Sequence, residues 1–157
     1  MKKFFKIKNK FIKEYHELYL SLRFFVWFIF VNEFLFEFKL LEGESMLPTF
    51  NPYGEIVILE KFYFKYSRYK LKKDDIICSL NPMELNTSMC KRIIKTEGDK
   101  IYNDEENNEK IQKNHLWIEG DNKDNSLDSR KFGPIHKELI KGRVIMKVWP
   151  NIEFFGI

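Results

Sequence analysis

Three polar clusters, spaced along the chain, contain side chains that could do chemistry. Ser45 lies in residues 43–50, between a glycine and an apolar step that ends in proline. Lys91 lies in the middle of an apolar run. Residues 120–130 are dense in Asn, Asp and Ser, which cap and cross-link loops. Taken singly, each cluster has an ordinary interpretation: a turn serine, a lysine that points to solvent, and a polar loop.

Together, a serine and a lysine are capable of nucleophilic catalysis. A free serine hydroxyl is a poor nucleophile and needs a neighbouring group that accepts its proton. A lysine serves only when it is neutral, and lowering its pKa from about 10.4 to about 7–8 costs about 4 kcal/mol, mainly through desolvation. The residues around Lys91 are apolar enough to bury it, and the third cluster can supply a hydrogen-bond partner that aims the amine. Those apolar neighbours are Met89, Cys90, Ile93 and Ile94.

Other kinds of site fit the sequence less well. A calcium loop starting at Asn122 would need Gly and Glu where Leu127 and Gly133 stand. Cys78 and Cys90 are twelve residues apart without a CxxC pair, the histidines are scattered, and no phosphate-binding glycine loop is present. We therefore predict no metal and no cofactor. A Ser-His-Asp triad that uses one of two histidines stays open; these are His115 and His136.

The net charge of +4 is concentrated at the start of the chain. Residues 1–13 hold six lysines and no acid, so the remaining chain has 21 basic and 23 acidic residues. Nucleic-acid-binding domains usually carry positive charge on the folded domain itself, and we therefore predict no nucleic-acid partner. A membrane surface or a targeting receptor is the better partner for such a tail.

The most apolar stretch, residues 18–36, follows this basic tail, which we assign to residues 1–17. We predict a short membrane-anchoring helix over residues 18–37, with Arg23 and Glu33 near its ends, where long side chains can reach the headgroups. A helix lying flat on the membrane and a helix buried in protein are alternatives. A cleaved signal peptide is disfavoured, because no small-residue cleavage site follows. The lysines favour an N-terminus on the cytoplasm-like side and a C-terminal domain across the bilayer.

Residues 38–157 are predicted to form one mainly β domain. Short β-branched or aromatic runs alternate with turn signals, and no amphipathic pattern of helical length is present. The predicted strands are residues 55–60, 75–80, 89–95, 115–119 and 142–149, and residues 103–110 are predicted as a charged loop. At 157 residues with 44% hydrophobic content and two cysteines, the chain is neither disordered nor a disulfide scaffold.

The clusters, taken in order, resemble those of the type I signal peptidases, membrane-tethered serine proteases with a Ser-Lys dyad. The resemblance rests on Gly-Glu-Ser45-Met-Leu-Pro-Thr, Lys-Lys-Asp-Asp75-Ile-Ile, Cys-Lys91-Arg-Ile-Ile with Gly98-Asp99, and Gly120-Asp-Asn-x-x-Asn-Ser126-x-Asp-Ser-Arg130. It covers residues 24–149. Only 20 residues separate Asp99 from Gly120, so the chain lacks the large insert of many bacterial members and is most similar to the mitochondrial inner-membrane branch.

The resemblance implies a role for each matched residue and a compact antiparallel sheet or partly open barrel. Ser45 would be the nucleophile, Lys91 the general base, and Ser126 the group that orients Lys91. Met46 would help to form the substrate pocket, and the Ser45 backbone N–H would donate to the oxyanion. The structural ion pairs would be Arg92 with Asp121 and Asp128 with Arg130. Bacterial members often have a hydroxyl donor where this chain has Gly43, so the second oxyanion donor is unassigned.

The implied function is an endopeptidase that removes signal or sorting peptides from precursor proteins, with its catalytic domain facing the intermembrane space. A heterodimer with a related protease subunit is a further expectation. One alternative is a non-catalytic, membrane-bound partner subunit that binds extended precursor segments, and another location is a different organelle or a bacterial-type inner membrane. Endoplasmic-reticulum signal peptidases use histidine where this chain has Lys91, and self-cleaving repressors carry a DNA-binding module in place of the membrane segment.

Overall fold

The computed structural model describes residues 2–61, 71–101 and 109–156, and they form two units, residues 1–35 and 36–157. Most of the charged loop that we predicted at residues 103–110 lies outside the described residues.

The N-terminal unit is a single helix, α1, from Lys2 to Phe30, which continues as a π-helical turn over Val31–Leu35. The helix begins well before residue 18, where we expected it to start. The lysine-rich segment contains no Pro or Gly, and lysine is a good helix former, so nothing in the sequence interrupts the helix there. The segment Ile12–Leu35 has a mean hydropathy of 1.5 and is long and apolar enough to cross a membrane.

The second unit is built around one antiparallel sheet, which confirms the predicted fold class. Its strands are β1 Phe36–Leu41, β2 Glu55–Glu60, β3 Ile76–Asn81, β4 Glu84–Lys95, β5 His115–Glu119, β6 Ile135–His136, β7 Ile140–Trp149 and β8 Glu153–Phe154. They follow the order β1-β2-β7-β3-β4-β5-β6, and β8 pairs with β7. A four-residue helix, α2, spans Ser129–Phe132 between β5 and β6.

Alternating side chains build the core beside the first cluster. Along β2, Val57 and Leu59 are fully buried, and both pack in a cluster with Leu41 at the end of β1. Met46 and Phe50, on the segment after β1, belong to the same cluster. Burying each of these side chains stabilises the fold by roughly 1.5–3 kcal/mol. The core therefore anchors the chain on both sides of Ser45.

Among the described residues, two strand edges have no pairing partner near the end of β1. β1 is the first strand of the sheet order, so within the described ranges only one of its edges pairs, with β2. β4 pairs with β3 along residues 88–92, but in the described chain its pairing with β5 involves only Arg92, Ile93 and Lys95. The backbone of residues 88–90 is therefore paired on one side only.

Candidate active site

Ser45 lies on a tight turn directly after β1. Gly43 has φ = 102°, in the left-handed region that favours glycine, and its N–H donates to the Pro52 carbonyl at 2.8 Å. A short 3₁₀ helix, Glu44–Met46, then carries Ser45, which is half-buried. Because the next residue, Met46, is packed in the core, the position of the serine is fixed.

Lys91 approaches the serine from β4. It pairs with Ile77 of β3, and its side chain is only 3% exposed. The Nζ atom donates to Ser45 Oγ at 2.6 Å and to the Cys90 carbonyl at 3.0 Å. The fold therefore brings together the serine and the lysine that the sequence singled out, although they are 46 positions apart in the sequence.

Burial shifts the acid–base behaviour of Lys91. Desolvation lowers the pKa of its amine below the ordinary lysine value and outweighs smaller opposing effects from Cys90 and Asp128. A larger fraction of this amine is therefore neutral near pH 7 than in an exposed lysine. A neutral amine 2.6 Å from a hydroxyl can accept that hydroxyl's proton.

The third cluster is tied to the turn that carries Ser45. The Asn122 backbone N–H donates to the Ser45 carbonyl at 3.1 Å, and its side chain donates to the Glu44 carbonyl at 3.1 Å. Asn125 Nδ2 donates to the Glu44 carboxylate at 2.7 Å. We did not predict these contacts. The only sequence signal for them was the density of Asn in the loop, which names no partner.

Gly120 must be a glycine for steric reasons. A Cβ atom built on it would collide with the Ser45 carbonyl oxygen and with the Ser126 hydroxyl. The loop of the third cluster, residues 120–130, can approach the serine turn this closely only because residue 120 has no side chain.

Ser126 is buried in this loop, but it does not make the bond that we expected. Lys91 donates to Ser45 and Cys90, whereas no atom of the described residues has hydrogen-bond geometry with the Ser126 hydroxyl. The hydroxyl does contribute to lowering the pKa of the Asp128 carboxyl. The structure places Ser126 against Gly120, and a role in orienting Lys91 stays a prediction.

Arg92 and Asp121 form the first of the two predicted ion pairs. Arg92 Nε and Nη2 donate to the two Asp121 carboxylate oxygens at 2.8 and 2.7 Å, and Thr49 Oγ1 donates to the same group at 2.5 Å. Burial alone would raise the pKa of Asp121, but the hydrogen bonds from Arg92 and Thr49 outweigh it and lower the pKa. The pair thus joins β4, the loop of the third cluster and the segment after Ser45.

Asp128 and Arg130 form the second pair. Asp128 is fully buried, caps α2, and accepts two side-chain hydrogen bonds from Arg130 at 2.9 and 2.8 Å and one from the Gly120 N–H at 2.9 Å. Burial acts to raise the pKa of Asp128, but the hydrogen bonds from Arg130 and Gly120 hold it far below the usual range. This carboxylate therefore fixes Gly120 under the serine turn.

Ser45 and Lys91 both line an open groove of about 370 Å³ between β1 and β4. Residues 39–43 and 88–91 line it, together with Ser45, Met46, Phe50, Asn51 and Cys78. His115 and His136, the open candidates for a triad, pack against each other where β5 and β6 pair and do not line this groove. In the described ranges, no group of three or more His, Cys, Asp or Glu side chains is placed to hold a metal.

Sequence comparisons show which known proteins this chain is similar to. A family model described as "Signal peptidase, peptidase S26" matches residues 12–106 and 102–149. The chain is 40% identical over 124 residues to "Mitochondrial inner membrane protease subunit 1" of Schizosaccharomyces pombe, which covers 77% of this chain and 78% of the relative. It is 37% identical over 117 residues to the human protein of the same name, covering 71% and 69%. "Mitochondrial inner membrane protease subunit 2" of Danio rerio is 36% identical over 116 residues, covering 70% and 62%. The resemblance stated from the sequence is confirmed.

The two low-pKa carboxylates predict acid sensitivity. Because hydrogen bonds lower the pKa of Asp121 and Asp128, their stabilisation is complete above the unfolded pKa of about 3.9 and is lost as the pH falls through the folded values. We expect the thermal midpoint to fall steeply below about pH 4. Asp128→Asn should lower the midpoint at pH 7 and flatten this dependence, as scanning calorimetry would record. If the thermal midpoint of Asp128→Asn fell as steeply below pH 4 as that of the wild type, Asp128 would not be a source of the acid sensitivity.

Proposed function

Because the chain belongs to the signal peptidase family, peptidase S26, we propose that it is a membrane-bound serine endopeptidase with Ser45 as nucleophile and Lys91 as general base. One observation carries this proposal: the 2.6 Å contact between the buried Lys91 amine and the Ser45 hydroxyl. The substrates are precursor proteins, from which it removes signal or sorting peptides.

The proposed chemistry needs only these two side chains and a water. Lys91 takes the Ser45 proton as Oγ attacks the scissile carbonyl, and the Ser45 backbone N–H donates to the resulting oxyanion. The protonated Lys91 then gives its proton to the leaving amine, which leaves an ester on Ser45. A water molecule, deprotonated by Lys91, hydrolyses that ester and frees the serine. The Gly43 N–H already donates to Pro52, and it is not the second oxyanion donor in this arrangement.

The substrate binds in the groove as an extended strand. β1 and residues 88–90 of β4 line the two sides of the groove, and each presents an edge at which main-chain hydrogen bonds can form. Met46 lies at the base of the groove near the serine, where it limits the size of the side chain at the cut.

The relatives' names and the N-terminal helix support a location and a partner. We place the chain in the mitochondrial inner membrane, anchored by the apolar segment Ile12–Leu35, with its catalytic domain facing the intermembrane space. The lysines before the anchor favour this orientation. Relatives carry the names of two related subunits, which supports a heterodimer with a second protease subunit.

Removing either member of the pair should abolish cleavage. With the purified full-length protein in detergent, Ser45→Ala and Lys91→Met are each expected to slow the cleavage of a mitochondrial inner-membrane precursor by roughly 10³-fold or more, because the nucleophile or its proton acceptor is lost. Mass spectrometry of the products measures the loss and locates the cut.

Exposed lysines provide the control for this experiment. Lys141→Met, on β7 and away from the groove, should retain normal cleavage. Cleavage at the wild-type rate in Ser45→Ala or in Lys91→Met would refute the dyad. An inactive wild type that still binds the precursor would instead favour the non-catalytic partner subunit.

The rate of cleavage should rise with pH. Lys91 acts only when neutral, and burial lowers its pKa below the ordinary value, so kcat/KM is expected to rise through that lowered pKa and level off before about pH 10. Measuring kcat/KM for one peptide over a series of pH values records this rise. A rate that does not change between pH 6 and pH 9 would be inconsistent with Lys91 as the base.

Ser126 is proposed to hold the Lys91 amine when the serine has reacted and can no longer accept from it. Ser126→Ala should lower kcat, leave KM near its normal value and shift the pH range over which the rate rises, because a hydroxyl that accepts a hydrogen bond from the amine changes the pKa of that amine. Ser126→Thr, which keeps the hydroxyl, should restore the wild-type pH dependence of the cleavage rate. If the pH dependence of kcat/KM in Ser126→Ala is the same as in the wild type, Ser126 contributes to packing and does not act on Lys91.

A further inference from the structure

Two cysteines lie beside the Ser45–Lys91 pair, and neither thiol takes part in the proposed cleavage. Cys78 of β3 and Cys90 of β4 stand directly opposite each other in the antiparallel pairing of these strands. They are the two cysteines of the whole sequence, and both are free. Cys78 is 2% exposed and belongs to the core, and the half-buried Cys90 packs against the same cluster.

The strand pairing brings the two sulfur atoms together. Directly opposite residues of an antiparallel pair have side chains on the same face, and their Cα atoms are about 4.5 or 5.5 Å apart. Both separations fall within the range of about 4.4–6.8 Å that a disulfide spans. The side chains of Cys78 and Cys90 are already hydrogen-bonded to each other. Both residues line the open groove, which gives a small solute a route to Cys90.

A bond between these sulfur atoms would act on Lys91 through the backbone. Lys91 follows Cys90 in the chain, and its Nζ atom donates to the Cys90 carbonyl at 3.0 Å and to Ser45 Oγ at 2.6 Å. A disulfide holds its sulfur atoms about 2.05 Å apart, closer than two hydrogen-bonded thiols. Forming it draws Cys90 toward β3 and moves the carbonyl that holds the amine. Since a displacement of about 1 Å can cost about 100-fold in rate, a small shift is enough to slow cleavage.

We propose that Cys78 and Cys90 are a redox-modification site, whose reversible disulfide switches the Ser45–Lys91 site from an active reduced state to a slowed oxidised state. The oxidant is a low-molecular-weight disulfide. The effect on cleavage rests on the proposed protease function, whereas formation of the disulfide does not.

The exchange is balanced by the small disulfide alone. The Cys90 sulfur, once it has lost its proton, attacks one sulfur of the small disulfide, whose S–S bond breaks, and the thiolate that leaves takes up a proton. The Cys78 sulfur then loses its proton and attacks the Cys90 sulfur, which releases the second small thiol. The protein gives up two hydrogens and two electrons, and the small disulfide is reduced to two thiols. The hydrogen bond with Cys78 and burial raise the pKa of Cys90, so the first step is slow near pH 7.

Intact mass and kinetics, measured on the same samples, test the proposal. The full-length protein in detergent is incubated with oxidised glutathione, the excess is removed, and kcat on one precursor peptide is measured before and after dithiothreitol. The wild type should become two hydrogens lighter without a glutathione adduct. Its kcat should fall by about 10-fold or more and return with dithiothreitol.

Cys90→Ser provides the control, because it keeps Cys78 and cannot form the bond. Its mass and its kcat should be the same before and after incubation with oxidised glutathione, whatever its rate relative to the wild type. If Cys90→Ser fails to fold by circular dichroism, Cys90→Ala replaces it. A loss of activity on oxidation as large as that of the wild type would show that the inhibition does not come from the disulfide, and would overturn the proposal.

The outcomes separate this proposal from the proposed function. If the reduced wild type cleaves no precursor, the protease proposal fails, and the mass still decides whether the disulfide forms. An unchanged mass, a stable glutathione adduct, or a disulfide-linked dimer on a non-reducing gel would refute the bond between Cys78 and Cys90. If the bond forms and kcat is unchanged, cleavage stands and the switch is refuted.

Discussion

The burial of one amine is the constraint on which the site depends. Lys91 is 3% exposed and contacts Ser45 Oγ at 2.6 Å. In water, this lysine would be protonated near pH 7 and could not accept a proton as a base. Taking its charge out of water destabilises the protonated form, which lowers its pKa. The surrounding sheet must therefore exclude solvent from the amine and still leave the serine reachable from the groove.

The loop of residues 120–130 holds the turn that carries the serine. Asn122 and Asn125 fasten the serine turn through Glu44 and the Ser45 carbonyl, and Gly120 allows the loop to approach without a steric clash. The loop itself is held by Asp128, whose buried charge is balanced by Arg130. Removing one partner of such a pair leaves an uncompensated charge, so these residues act through the position of Ser45 without touching the reacting atoms.

The sequence was a good guide where local pattern and pairing agree. The strands at Glu55–Glu60 and His115–Glu119 were predicted with their observed bounds, and β3, β4 and β7 were found with shifted ends. β1 was missed, because Phe36–Leu41 continues the apolar segment before it without a turn signal. The contact between Ser45 and Lys91 followed from the resemblance. Periodicity could not supply it, since the residues come together only through pairing across the sheet. The missing Lys91–Ser126 bond had no local signal either, because the two residues lie on segments far apart in the sequence.

The cations of this sheet differ in how their charge is balanced, and that difference defines their uses. Lys147 is buried and keeps carboxylates close by, with Glu153 at 2.8 Å and Glu55 at 3.8 Å, so it is suited to holding β7 to β2 and β8. Arg92 shares its charge with Asp121 in a two-pronged contact, which suits it to fixing a loop. Lys91 is buried beside a hydroxyl and a carbonyl, with no carboxylate of the described residues bonded to it, and this is the environment that favours a neutral amine.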